Sequence, residues 1–363
     1  MINMIGEIIN INKKAIQASL YDMAKSADTV NLDYVSDDNP GFKRKRTGKH
    51  FSYYDGNDKI KDKEILDRIK KLSIPPAWEN VWICKLANGH LQATGLDSLH
   101  RKQYRYHHSW NIIRKHTKFY RLQDFGKKIP TIRTNIDQHL SLRGYPKDKV
   151  LAAVISLLDQ TKIRVGNSCY EKLHGSFGLT TLKNRHISIK GTQLRFTFKG
   201  KKNIKHDITL KSKRLARIVK ACKDIPGKEL FEYYDSDGNI HSINSGMVNN
   251  YIRNATGGEF TAKDFRTWAG TVAALDALNE IGGFKSTTEM NRNVIAAYDK
   301  VAQQLGNTRS VCKNYYVHPL IIELYKENKL LKYFAQLKSL ETKDKKKPLM
   351  PTERILLKIL KKY

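Results

Sequence analysis

Residues 305–316 read LGNTRSVCKNYY, and this stretch decides how the rest of the chain is read. Gly306 is a helix-stop signal, and Asn307 behind it carries an amide that can donate hydrogen bonds. Two adjacent tyrosines, Tyr315 and Tyr316, close the run. A phenol is a weak nucleophile near neutral pH because its ordinary pKa is about 10. It attacks a phosphorus centre when cationic neighbours favour the phenolate and neutralise the phosphate oxygens. The chain has cations in excess: 66 Lys and Arg against 35 Asp and Glu over 363 residues, a formal charge of +31. The excess runs along the chain instead of sitting in one tail, which is the pattern of an extended surface for a polyanion.

Composition excludes several other classes. Hydrophobic residues make up 40%, enough for a real core. The longest apolar run, 150–158, is about half of the roughly 18 residues a membrane helix needs, so no membrane partner is expected. Glu7 interrupts the apolar N-terminus and no basic cluster leads it, so no secretory signal is read there. Cys84, Cys169, Cys222 and Cys312 are isolated from one another, which leaves no zinc ligand pair and no disulfide framework and points to a reducing interior. A GxxxxGK[ST] loop is absent, so no nucleotide and no cofactor is expected. The run from Asp235 to Asn239 begins like a calcium loop but has Gly246 where the closing glutamate belongs, and it reads as a hairpin turn.

The order of patterns indicates an α+β chain: a small β-rich N-terminal domain and a mainly α-helical domain with a small antiparallel sheet. Residues 1–40 form an N-terminal extension. Residues 41–114 alternate like short strands around a helix at 62–72, with turns at Asp55-Gly56 and Asn88-Gly89. Residues 115–330 hold an amphipathic helix at 147–163, strands at 186–190, 193–198 and 204–210, and helices at 212–223, 245–254, 262–281, 288–305 and 308–316. Thr261 and Asp264 have capping-box spacing and Gly282-Gly283 ends the helix they begin. Residues 331–363 are a lysine-rich tail. Trp78, Trp82, Trp110 and Trp268 read as core.

Five side chains have the chemistry that a tyrosine nucleophile lacks. Arg164 follows the 147–163 helix, with Gly166 beyond it to allow close backbone approach. Lys201 lies in the tight turn FKGKKN between two strands, where an ammonium can protonate a leaving oxygen. Lys263 and Arg266 are three apart in KDFRTW and share a helical face. A guanidinium stays charged and its fork bonds two oxygens at once. Asn307 can donate to a phosphate oxygen. None of these residues carries the reading alone in so basic a chain, and the residues by themselves do not choose between Tyr315 and Tyr316.

Their order and local wording do more. GHLQATG (89–95), RKQYRYH (101–107), IRVGN (163–167), FKGK (198–201), KDFRTW (263–268) and LGNTRSVCKNYYVHP (305–319) occur in one chain. Over residues 41–325 the sequence resembles the type IB DNA topoisomerases in their small poxvirus-like and bacterial form. The resemblance implies the catalytic fold that family shares with tyrosine recombinases. It implies that Tyr316, nine residues after Asn307, is the nucleophile, that Arg164 and Arg266 clamp the phosphate, that Lys201 is the general acid and that Lys263 supports the phosphate site. Tyr170 falls on a phosphate contact, and Arg101, Gln103, Tyr104 and Tyr106 fall on contacts to the major-groove side of a DNA duplex. Asn307 departs from the histidine of the poxvirus and nuclear enzymes and matches the bacterial branch.

The expected partner is double-stranded DNA, gripped by a monomer acting as a clamp. Supercoils relax through a 3′-phosphotyrosyl link, strand rotation and religation, without ATP or metal. A bacterial host implies a cytoplasmic, nucleoid-associated enzyme, and a viral host implies the virion or the infected cell. The rivals are a tyrosine recombinase, whose HxxR pattern is KxxR here, and a DNA-binding protein without catalysis.

Overall fold

The computed structural model of the chain describes residues 22–48, 50–341 and 348–363. Residues 1–21 of the expected extension and 342–347 of the expected tail lie outside the described residues, as does Lys49. The chain forms two compact units that meet in sequence at Arg121 and Leu122.

The first unit is an antiparallel sheet of six strands, β1 (Phe42–Thr47), β2 (His50–Asp55), β3 (Asp58–Lys59), β4 (Glu79–Ile83), β5 (Leu91–Leu96) and β6 (Lys102–Tyr106), in the order β3-β2-β1-β4-β5-β6. A short helix α1 (Met23–Asp28) precedes the sheet, and α2 (Lys63–Lys71), capped by the Asp62 carboxylate, packs Ile69 against Phe42, Val81, Ile83 and Ala93. The basic strand β1 is held in part by cation–π contacts: Arg44 lies 4.2 Å over Phe51 and Lys45 4.7 Å over Tyr54. Trp110 is core, whereas Trp78 and Trp82 are only partly buried, against expectation. Trp82 needs its indole N–H satisfied, and it donates to the Asn39 carbonyl at 2.8 Å at the sheet margin.

A long helix, α3 (His108–Leu140), runs through the boundary between the units. Leu122, Phe125, Ile129, Ile132, Ile136 and Leu140 fall three or four apart and are all buried. In the second unit, α4 (Lys147–Thr161) is the central element, with 150–158 buried without a break. It ends in Lys162 at φ 60°, two residues before Arg164. Helix α5 (Ser168–His174) follows, and then the antiparallel strands β7 (Ile187–Lys190), β8 (Gln193–Lys199) and β9 (Lys205–Lys211). Alternation sends Leu194, Phe196 and Phe198 of β8 into the core. Helix α6 (Lys213–Lys223) packs on α4, and the Asp235 turn joins the hairpin β10 (Glu232–Tyr234) and β11 (Ile240–Ser242), as its sequence predicts.

The remaining helices are α7 (Ser245–Thr256), α8 (Ala262–Ile281), α9 (Thr287–Leu305), α10 (Arg309–Tyr315), α11 (Pro319–Lys326), α12 (Leu331–Glu341) and α13 (Pro351–Lys362). The Thr261–Asp264 capping box starts α8 where it was read. Helix α13 buries Ile355, Leu356, Ile359 and Leu360 and packs on α8. Its Glu353 accepts from Arg133 and, at 2.9 Å, from the Trp268 indole, while Arg133 also bonds Asp159.

Candidate active site

The last carbonyls of a helix have no partner within it and carry the negative end of its dipole. At the end of α9 these carbonyls draw in two guanidinium groups. Arg266 donates to Leu305 O at 2.7 Å and to the Lys162 carbonyl. Arg164 donates to Gly306 O at 3.3 Å and to Asn307 Oδ1. Turning the chain here requires Gly306 at φ 56°, so the glycine read as a stop signal is also what presents the Asn307 amide. The bond to Oδ1 leaves Asn307 Nδ2 as the outward donor. Both Nδ2 and Arg266 Nε are buried and have no hydrogen-bond partner among the described residues. Leaving such donors unmet costs about 1–3 kcal/mol each, and an anion with several acceptor oxygens removes that cost.

The two cations hold their protons less tightly than usual. Burial, then the neighbouring Arg266 charge, pulls the Arg164 guanidinium down to about 10. Burial also lowers Arg266, which is 5% exposed, and Tyr316 acts in the opposite sense. Both remain charged at neutral pH. A negative ligand is therefore favoured by charge as well as by geometry.

Tyr316 lies at the C-terminal end of α10, partly buried, with the Arg266 guanidinium carbon 5.3 Å from its ring centre. Its neighbour Tyr315 is 46% exposed. Helix α8 makes the seat. Gly270, one turn after Arg266, lets the Tyr316 backbone approach so closely that a β-carbon there would stand 2.6 Å from Tyr316 O. Thr271 Oγ1 donates to Tyr316 O at 3.3 Å and accepts from His318 N at 3.1 Å. One helix thus fixes the second arginine and the tyrosine together. Lys263, one turn earlier, is exposed.

Lys201 opens a single 3-10 turn at the tip of the β8–β9 hairpin, where Lys202 and Asn203 take positive φ. Its ammonium stands 5.4 Å from the ring centre of Tyr170 on α5, so these two expected residues come together. Phe177 N bonds Lys199 O at 2.8 Å, and Leu179 N bonds Arg164 O at 2.9 Å, which ties the hairpin to the Arg164 segment. His206, Gly270 and Thr271 were not among the sequence candidates. His206 shares the inward face of β9 with Ile208 and Leu210, and that alternation is the signal that would have found it.

In the first unit, strand alternation divides the four expected contact residues between two faces. Arg101 and Gln103 both bond Asp97, whose carboxyl the Arg101 side chain, helped by the backbone N–H groups of Arg101 and Leu99, pulls down to about 2. Tyr104 and Tyr106 stack at 5.8 Å on the other face, with Arg114 4.9 Å over Tyr106. Tyr104 is exposed. No group of three or more potential metal ligands, and no helix long and apolar enough to cross a membrane, is found among the described residues.

Comparison with known proteins gives the family. Residues 107–344 match the family model for the catalytic core of eukaryotic DNA topoisomerase I, and residues 50–97 match that for the N-terminal domain of bacterial DNA topoisomerase IB. DNA topoisomerase 1B of Acanthamoeba polyphaga mimivirus is 33% identical over 334 residues, covering 89% of this chain and 95% of that protein. DNA topoisomerase 1B of vaccinia virus (strain Copenhagen) is 24% identical over 312 residues, and DNA topoisomerase I of monkeypox virus is 25% identical over 314, each covering 84% of this chain and 88% of the relative. The first family model spans more than half of the chain and surrounds every residue of the arginine–tyrosine cluster, and on that ground the chain belongs to the type IB DNA topoisomerase family.

Proposed function

We propose that Tyr316 cuts one strand of duplex DNA and that Arg164, Arg266, Asn307 and Lys201 make the cut and its reversal fast. The phenol loses its proton to solvent and its Oη attacks phosphorus. A P–O bond to Tyr316 forms as the bond to the 5′ oxygen breaks, which leaves a 3′-phosphotyrosyl link. Lys201 protonates the departing 5′ oxygen, and the same lysine takes that proton back when the 5′-hydroxyl reseals the strand. Arg164 and Arg266 neutralise the non-bridging oxygens, Asn307 Nδ2 donates to one of them, and Lys263 adds positive charge at the rim. Tyr170 contacts the phosphate beside Lys201. Energy stored in the phosphotyrosine makes a nucleotide unnecessary, and the chain works as a monomer on DNA. Arg101, from the turn before β6, and Gln103, Tyr104 and Tyr106 of β6 contribute duplex contacts.

The observation that carries this reading is the pair of buried unpartnered donors, Arg266 Nε, whose guanidinium lies 5.3 Å from the Tyr316 ring, and Asn307 Nδ2, whose amide is held by Arg164. A site built only for structure would satisfy them. The test is relaxation of supercoiled plasmid by the parent chain and by Tyr316→Phe. The reading expects relaxation without ATP by the first and none by the second. Equal relaxation by both would remove the tyrosine mechanism, and DNA binding without relaxation by the parent would favour a binding protein.

A further inference from the structure

The His206 imidazole touches the residues preceding both Lys201 and Asn307. Phe198 and His206 face each other across the β8–β9 hairpin and stack at 4.9 Å with an interplanar angle of 19°. Past that pair, the ring covers Gly200, the residue before Lys201: a β-carbon at Gly200 would stand 2.6 Å from Nε2 and 2.7 Å from Cδ2. The adjoining corner of the ring covers Gly306, the residue before Asn307, where a β-carbon would stand 2.5 Å from Cε1. Two glycines thus accept a single flat side chain between them, one on the hairpin tip and one on the turn that both arginines grip. Burial, followed by the charges of Arg164 and Arg266, lowers the pKa of His206, so the ring adds no third positive charge. A stacked, neutral, rigid ring between two glycines is suited to holding a distance.

We propose that His206 is a positioning residue that fixes the Lys201 hairpin against the Gly306–Asn307 turn. The proposal rests on the reading of Lys201 as the general acid. Without the ring, the hairpin tip keeps its own turn bond, Gly200 N to Ile204 O at 2.8 Å, but loses its stop against the turn. The ammonium then samples positions away from the leaving oxygen, and a displacement of about 1 Å is enough to cost on the order of 100-fold in rate.

The test compares single-turnover cleavage of two duplexes, one with the natural oxygen and one with sulfur as the bridging 5′ atom at a linkage the parent chain cuts. A thiolate leaves without a proton, so the sulfur duplex does not need the general acid. His206→Ala should bind both duplexes like the parent, cut the oxygen duplex about 10- to 100-fold more slowly, and recover most of the parent rate on sulfur. Gly200→Ala, whose backbone suits any residue, should push on the ring and show the same pattern, and should add little further loss once His206 is alanine. That second variant also decides the matter if His206→Ala does not fold. Equal slowing on both duplexes, or no slowing on oxygen, overturns the proposal. Lys201→Ala separates it from the reading beneath: rescue of Lys201→Ala by sulfur without rescue of His206→Ala overturns the positioning role alone. No rescue of Lys201→Ala removes the general-acid reading and the proposal with it.

Discussion

The orientation of the Asn307 amide is set by its neighbours. An amide has two donors and an acceptor, and which end faces a ligand depends on its neighbours. Arg164 takes the acceptor, so the donor end is left facing the site. Asn307→Ala should therefore slow cleavage about 100- to 1,000-fold, the range for losing one preorganised donor, with DNA affinity nearly unchanged. Asn307→Asp should be slower still, because a carboxylate would satisfy Arg164 and repel the phosphate. Single-turnover cleavage and DNA titration of both variants check this. The resemblance of residues 305–319 to the family's wording, not spacing by itself, drew attention to Asn307 and Tyr316. It did not reveal that the arginines grip the end of a helix, because main-chain carbonyls leave no mark in a sequence. His206 escaped for a related reason: its role comes from two glycines distant in sequence.

At the scale of elements, α8 carries the site. Gly270 is in mid-helix, where alanine ordinarily adds about 1 kcal/mol of helix stability. Here Gly270→Ala should do harm, since its β-carbon would meet Tyr316 O and Cβ at 2.6 and 3.1 Å. The expected outcome is a cleavage rate lowered by about 100-fold while helix content and DNA binding persist. Strand β6 and the turn before it offer a pH test. Asp97 titrates at about 2, below its ordinary 3.8, because Arg101 and the backbone bond its charged form. The support it gives Arg101 and Gln103 is thus complete above pH 3.8 and is lost as pH falls towards 2. The side-chain NMR signals of Gln103 should move over that interval, and no movement would contradict it. Helices with clean caps, such as α8 and α9, were legible almost to the residue. Helix α3 was not, although Leu122 to Leu140 keep helical spacing. Gly126 makes room there for Trp268, and the rest of the helix absorbs Pro130.

Over the whole molecule, the buried ionic cluster of Arg133, Asp159 and Glu353 ties α3, α4 and α13 together and holds Trp268 two residues from Arg266. Removing one partner of such a cluster costs about 3–5 kcal/mol. Glu353→Ala should lower the melting temperature by roughly 6–20 °C, by about 2–4 °C per kcal/mol for a unit of this size, as calorimetry would show. The lysine-rich tail hid this role, because composition advertised its charges while the buried Ile355, Leu356 and Ile359 decide its place. The net charge of +31 signalled a polyanion, and the candidate site uses only a few of those cations, with Arg266 buried, Arg164 partly buried and Lys201 exposed. The central claim is that one named phenol becomes attached to DNA. Trapping the covalent complex on nicked duplex, digesting it and sequencing the DNA-linked peptide by mass spectrometry tests this directly. The account predicts the label on Tyr316 in the parent chain and in Tyr315→Phe, and none in Tyr316→Phe. A label on Tyr315, or an adduct that survives Tyr316→Phe, would contradict it.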